Sequence, residues 1–129
     1  MCLDLKRNAI KLRAEEDIIC YKVLIFEDTP KGRIFKTPFQ KKKVKIGKSY
    51  TSWLWKKFSK DEVHFGIHSM ATFRGARCLN ISDYTDTVIV RCCIPKGSNY
   101  YVGYFCCDPS YASNALVYTC QVDKNNMPI

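Results

Sequence analysis

Thr87-Val88-Ile89-Val90-Arg91-Cys92-Cys93-Ile94, closed by Pro95-Lys96-Gly97-Ser98, is the stretch that decides the fold class. Its β-branched and small apolar side chains read as a strand, and Pro-Lys-Gly supplies turn chemistry at its end. Working outward, Ile18, Ile19, Tyr21, Val23, Leu24, Ile25 and Phe26 predict a second strand over 17–26, turned by Thr29-Pro30-Lys31-Gly32. Residues 43–50 alternate basic and apolar, which predicts an exposed or edge strand. Residues 63–69, 100–105 and 115–122 bring the set to about six strands. Residues 14–17 read as a short helix or lead-in, and 53–60 as a short helix or loop. Phe73, Ala76 and Leu79 give 70–79 a short amphipathic helical pattern. The expected class is α+β: one small domain over 1–129, its strands mostly antiparallel, with one or two short helices.

The size, 129 residues, suits a single domain, and a 47% apolar content is too high for a disordered chain. No run approaches the ~18–20 uncharged apolar residues of a membrane-spanning helix, so no membrane partner is expected. The formal charge is +9, from 21 Lys and Arg against 12 Asp and Glu. It is concentrated: residues 31–60 hold eleven bases and no acid, and each flank is balanced to within one charge. The chain thus reads as a nearly neutral scaffold carrying a basic insert. Phe35, Phe39, Tyr50, Trp53, Trp55 and Phe58 are interleaved there. Cations for phosphates and ring faces for stacking are the ingredients of RNA or single-strand recognition. Lys41, Lys42, Lys43, Lys45 and Lys48 are the expected phosphate contacts, with Trp53 and Trp55 as stacking or anchor residues. The plainer reading is a solvated lysine face that keeps a small protein soluble. The same patch also suits an acidic protein surface.

Met1-Cys2-Leu3-Asp4-Leu5-Lys6-Arg7 has an early acid and no apolar core, so it does not read as a secretory signal. A cytoplasmic location follows as the expectation, with the eight cysteines as reduced thiols. Cys20 and Cys120 sit among apolar residues and read as small core hydrophobes. The adjacent pairs Cys92–Cys93 and Cys106–Cys107 would point to opposite strand faces. No Cys-x-x-Cys occurs, and His64 and His68 share a strand face across Gly66 with no further ligand nearby, so no metal is expected. The glycines are isolated rather than gathered in a phosphate loop, and Glu15-Glu16 and Glu27-Asp28 read as solvated pairs.

Gly66-Ile67-His68-Ser69 ahead of a small helix resembles the strand-to-helix step of ADP-ribosyltransferase-like domains. Residues 88–97 resemble their valine-rich strand ending in Pro-Lys-Gly, with 115–122 as a closing strand and Tyr21-Lys22-Val23-Leu24 as the opening one. The string from Tyr-Lys-Val-Leu to Tyr-Ala-Ser-Asn is also similar to short proteins of gut-type bacteria and their phages. The family resemblance implies an NAD pocket lined by Lys22, His68 and Ser69. It departs at the catalytic glutamate: Tyr111-Ala112-Ser113-Asn114 stands where that carboxylate would orient the ribose 2′-hydroxyl. Lys22 also replaces the usual Arg or His.

Two functions follow as expectations. The first is a small non-enzymatic binding protein without a cofactor, encoded by a phage or mobile element and acting in a bacterial host. It would engage RNA, DNA or a ribonucleoprotein, for instance as an anti-CRISPR-type inhibitor of host defence. The alternative is an ADP-ribosyltransferase-like enzyme using NAD in an altered active site.

Overall fold

A computed structural model describes the backbone of residues 3–5, 10–57, 62–63, 65–80, 86–105 and 108–129. The strands are β1 (Leu3–Leu5), β2 (Leu12–Arg13), β3 (Ile18–Thr29), β4 (Gly32–Lys36), β5 (Lys43–Val44), β6 (Ser49–Thr51), β7 (Lys56–Lys57), β8 (Glu62–Val63) and β9 (Ile67–Met70). After the helix α1 (Phe73–Asn80) come β10 (Thr87–Ile94), β11 (Asn99–Phe105), β12 (Asp108–Ser113) and β13 (Ala115–Val122). Antiparallel sheet therefore dominates, with one short helix among the described residues. Thirteen strands among the described residues replace the expected six. The additional ones are mostly two or three residues long, held by their neighbours' hydrogen bonds rather than by any periodicity of their own. No helix forms over 14–17 or 53–57; residues 58–60 lie outside the described residues.

The strands run in the order β6-β13-β10-β3-β9-β12-β11-β1-β8-β7, with β4 on β3, β5 on β4 and β2 on β11. The β10–β3 pair is the spine, in unbroken register from Thr87↔Ile25 to Ile94↔Ile18. Alternation then sorts its side chains. Val23 and Ile89 turn to one side, where Met70, Ala76 and Val122 join them and Phe73 and Leu79 of α1 cover them. Cys20, Leu24, Val88, Val90, Cys92 and Ile94 turn to the other, where Leu116 and Tyr118 complete the main core. Ile67, Tyr100 and Tyr111 pack on that core from β9, β11 and β12, so the two halves of the sheet face each other across it.

The basic segment is not an insert. Val44 is buried in the main core, and Phe35, Ile46 and Tyr50 pack against it. Gly47, with φ 92°, breaks the expected 43–50 strand in two. Its N–H donates to the Tyr118 carbonyl at 2.6 Å, leading the chain into β6 alongside β13. Asn114, between β12 and β13, fixes the far end. Its carbonyl accepts from the Ser52 N–H at 2.9 Å, and its side-chain oxygen accepts from the Asn99 N–H at 3.0 Å.

Candidate functional site

Lys22 lies between Cys20 and Leu24 in the strand, in phase with two fully buried side chains of the main core. Alternation alone carries its stem toward an apolar layer. Its ammonium donates to the His68 carbonyl at 2.7 Å. Burial lowers the Lys22 pKa from 10.5 to about 8, and the neighbouring thiols of Cys92 and Cys20 oppose the shift.

His68 is 8% exposed. Burial, then the charge of Lys22, holds its imidazole down to about 4, so the ring is neutral at pH 7; a hydrogen bond to the Val63 backbone opposes the shift. Its Nε2 has no hydrogen-bond partner among the described residues. Beside it in the chain, Ser69 is also buried. Its Oγ lies near the Cys20 thiol but likewise has no hydrogen-bond partner in good geometry among the described residues.

Lys22 and His68 belong to the wall of a cleft of about 170 Å³ that also takes in Lys42 and Lys43 of the basic segment. None of its described lining residues is acidic. Lys42 and Lys43 are exposed and sit at its rim. The rim loop is locally determined. The Thr37 N–H donates to the Lys42 carbonyl at 2.9 Å, and the Lys42 N–H donates to Thr37 Oγ1 at 3.1 Å. Lys41, at its turn, takes a left-handed φ of 55°. Gly66, which also lines the cleft, has φ 111° and lies so close to its neighbours that an added Cβ would stand 2.8 Å from Leu54 Cδ1 and 3.3 Å from the Ser113 carbonyl oxygen. Glycine is required there on both counts.

Thr51 and Ser52 border this cleft and also a second one, lined by Lys11, Trp53, Asn99 and Asn114. The two open side by side along β6 and the residues after it. Trp53 is 85% exposed. Trp55 is also exposed, its ring tilted against Phe65 at 5.2 Å between centroids. The structure thus gathers Lys42, Lys43 and Trp53 along one surface, with Lys45 and Lys48 exposed on the same segment outside both clefts. Two other cations of the segment are engaged elsewhere. Arg33 pairs with Asp28 at 2.7 Å and lies 4.0 Å over the Phe26 ring, and Lys36 pairs with Glu27 at 3.3 Å.

Of the NAD-pocket residues, Lys22 and His68 meet in the cleft and Ser69 does not line it. Thr37, Thr51 and Ser52 escaped the sequence reading, because nothing local marks residues that converge from separate strands. Lys22 did carry a local signal, a lysine at an in-phase apolar position of a strongly apolar strand.

Cys20, Cys78, Cys92, Cys93 and Cys120 are free thiols, with Cys20 and Cys92 fully buried. Cys120 is only half-buried, packed at the edge of the helix-side core. His64, Cys106 and Cys107 lie outside the described residues. Among the described residues, no helix is long and apolar enough to cross a membrane. Compared with known families, curated proteins and solved structures, the chain finds no match.

Proposed function

We propose that this chain is a non-enzymatic binding protein that engages single-stranded nucleic acid, free or within a ribonucleoprotein, through its basic segment. One observation carries the reading: the cleft with Lys42 and Lys43 at its rim, which has no acid among its described lining residues, adjoins the surface that exposes Trp53. Cations beside an uncovered indole supply the phosphate attraction and the stacking face that a strand requires. A purely solubilising lysine face has no use for an uncovered tryptophan, since exposed apolar area promotes association. In this role Lys41, Lys42, Lys43, Lys45 and Lys48 track the backbone, and Trp53 and Trp55 receive bases. A cytoplasmic inhibitor of a nucleic-acid-guided host-defence complex, encoded by a phage, is one concrete form of this activity.

The test is fluorescence anisotropy with a single-stranded RNA across a salt series. If all five lysines touch phosphate, log K should fall with log salt at a slope of about −3.5. The Lys41→Ala/Lys42→Ala/Lys43→Ala variant should flatten that slope by about 2. A slope near zero in the wild type would overturn the proposal.

An NAD-using enzyme is the second reading, favoured by the meeting of Lys22 and His68 in one cleft. It is disfavoured because no described lining residue is a carboxylate that could steady an oxocarbenium-like transition state. Transfer of label from NAD to a host lysate would establish it.

A further inference from the structure

We propose that the cleft lined by Lys22, His68, Lys42 and Lys43 is a terminal-phosphate pocket, taking a phosphate monoester at the end of a strand or on a free mononucleotide. The inference deepens the nucleic-acid reading and rests on it for the strand, but the pocket chemistry is its own.

Lys22 is the reason for a ligand of this kind. An ammonium has three N–H donors, and one is committed to the His68 carbonyl. Among the described residues no carboxylate lines the cleft to neutralise it, and a half-buried ammonium ordinarily gains from a counter-ion. The thiols beside it are no substitute, since burial holds both Cys20 and Cys92 in the protonated, neutral form at pH 7. An anion entering the cleft would supply the missing charge.

The choice of a monoester over a chain diester follows from charge and shape. A monoester carries close to two negative charges at neutral pH, a diester one. Here one lysine stands in the wall and two at the rim. A cleft of about 170 Å³ suits one phosphate group and part of its sugar. Hydroxyl donors are also at hand. Tyr50 Oη accepts from the Lys45 N–H at 2.8 Å, which leaves its own proton to give, and Thr51 and Ser52 lie on the same wall. The exposed Trp53 lies just past Ser52, where a base next to the bound end can stack.

The experiment compares three probes by competition anisotropy: a short single-stranded RNA with a 5′-phosphate, the same RNA with 5′- and 3′-hydroxyl ends, and that RNA with a 3′-phosphate. Adenosine monophosphate against adenosine is titrated separately by calorimetry. The wild type should prefer one phosphorylated end over the hydroxyl form by about tenfold, and should bind the monophosphate but not the nucleoside. Lys22→Met keeps the stem length and removes the charge, so its preference ratio should fall to near one. If that variant does not fold, Lys42→Ala/Lys43→Ala at the exposed rim should lower the same ratio. Strands bound equally well with and without a terminal phosphate, and no monophosphate binding, would overturn the pocket while leaving the nucleic-acid reading intact. Monophosphate binding with no strand binding would support the pocket, assign it to a free nucleotide, and overturn the strand reading. Neither kind of binding would overturn both.

Discussion

A lysine ammonium moved toward an apolar layer loses hydration, and Lys22 keeps the His68 carbonyl in return. Its pKa falls from 10.5 to about 8. Between those values the unfolded chain holds a proton that the folded chain has released, so stability rises with pH there. Cys20 works the other way. Burial raises its thiol from 9.0 to about 11, so the folded chain keeps the proton longer and stability falls from pH 9 to 11. Cys92, also raised, adds to that fall. A full unit is worth about 1.4 kcal/mol, so Lys22 dominates from pH 8 to 9 and the two thiols outweigh it above. His68 sets the acid side: its value drops from 6.5 to about 4, so stability is full above 6.5 and is lost as pH falls toward 4. Urea denaturation at stepped pH should show a climb to 6.5, a second climb from 8 to 9, and a decline beyond. In Lys22→Met the second climb should vanish while the decline persists. An unchanged profile would mean that the ammonium is not desolvated.

At the scale of the element, β5 and β6 are both edge strands, paired on one side with β4 and β13 respectively. Lysines on and beside an edge discourage pairing with other chains, which is the plain explanation for Lys43, Lys45 and Lys48. Trp53 separates the explanations, because edge protection does not call for it. Being 85% exposed, it should be replaceable by Ala with a stability change within about 0.5 kcal/mol. Stacking on bases predicts that Trp53→Ala weakens single-stranded RNA binding about tenfold. Urea midpoints and anisotropy measured on the same preparation decide between them; lost stability with retained binding would make Trp53 a packing residue. Element type was legible where periodicity had length to act. The 87–94 strand, the 115–122 strand and the small helix after residue 70 stand as expected, to within a few residues. β12 was missed because Asp108, Pro109 and Ser110 have turn chemistry, yet β9 and β11 pair with it on both sides. Neighbouring strands overrode its local preference.

For the whole molecule, the basic segment and the neutral body share one core, and this has a measurable consequence. Val44, within the acid-free stretch, is 7% exposed in the main cluster with Leu24, Val90 and Leu116. Val44→Ala should lower global stability by roughly 2 kcal/mol, within a single cooperative urea transition. An unchanged main transition would restore the picture of an appended insert. The segment's charge was fully legible in the sequence, because charge is a sum over residues and needs no coordinates. So were the strand character of the chain, which period-two apolar patterning reports, and the exposure of the lysines, which follows from an edge setting; the exposure of Trp53 was not, since an aromatic there fits an inward position as well. That Lys22 shares a cleft with the rim lysines was not legible. That cleft joins β3, β5, β6 and β9, and the distances between such elements depend on register and sheet coiling, which are set by packing across the core. Sequence determined what kinds of residue this protein could offer a ligand. Only the tertiary structure decided that a half-buried ammonium, with no carboxylate among the described residues of its cleft, would share that cleft with the basic edge.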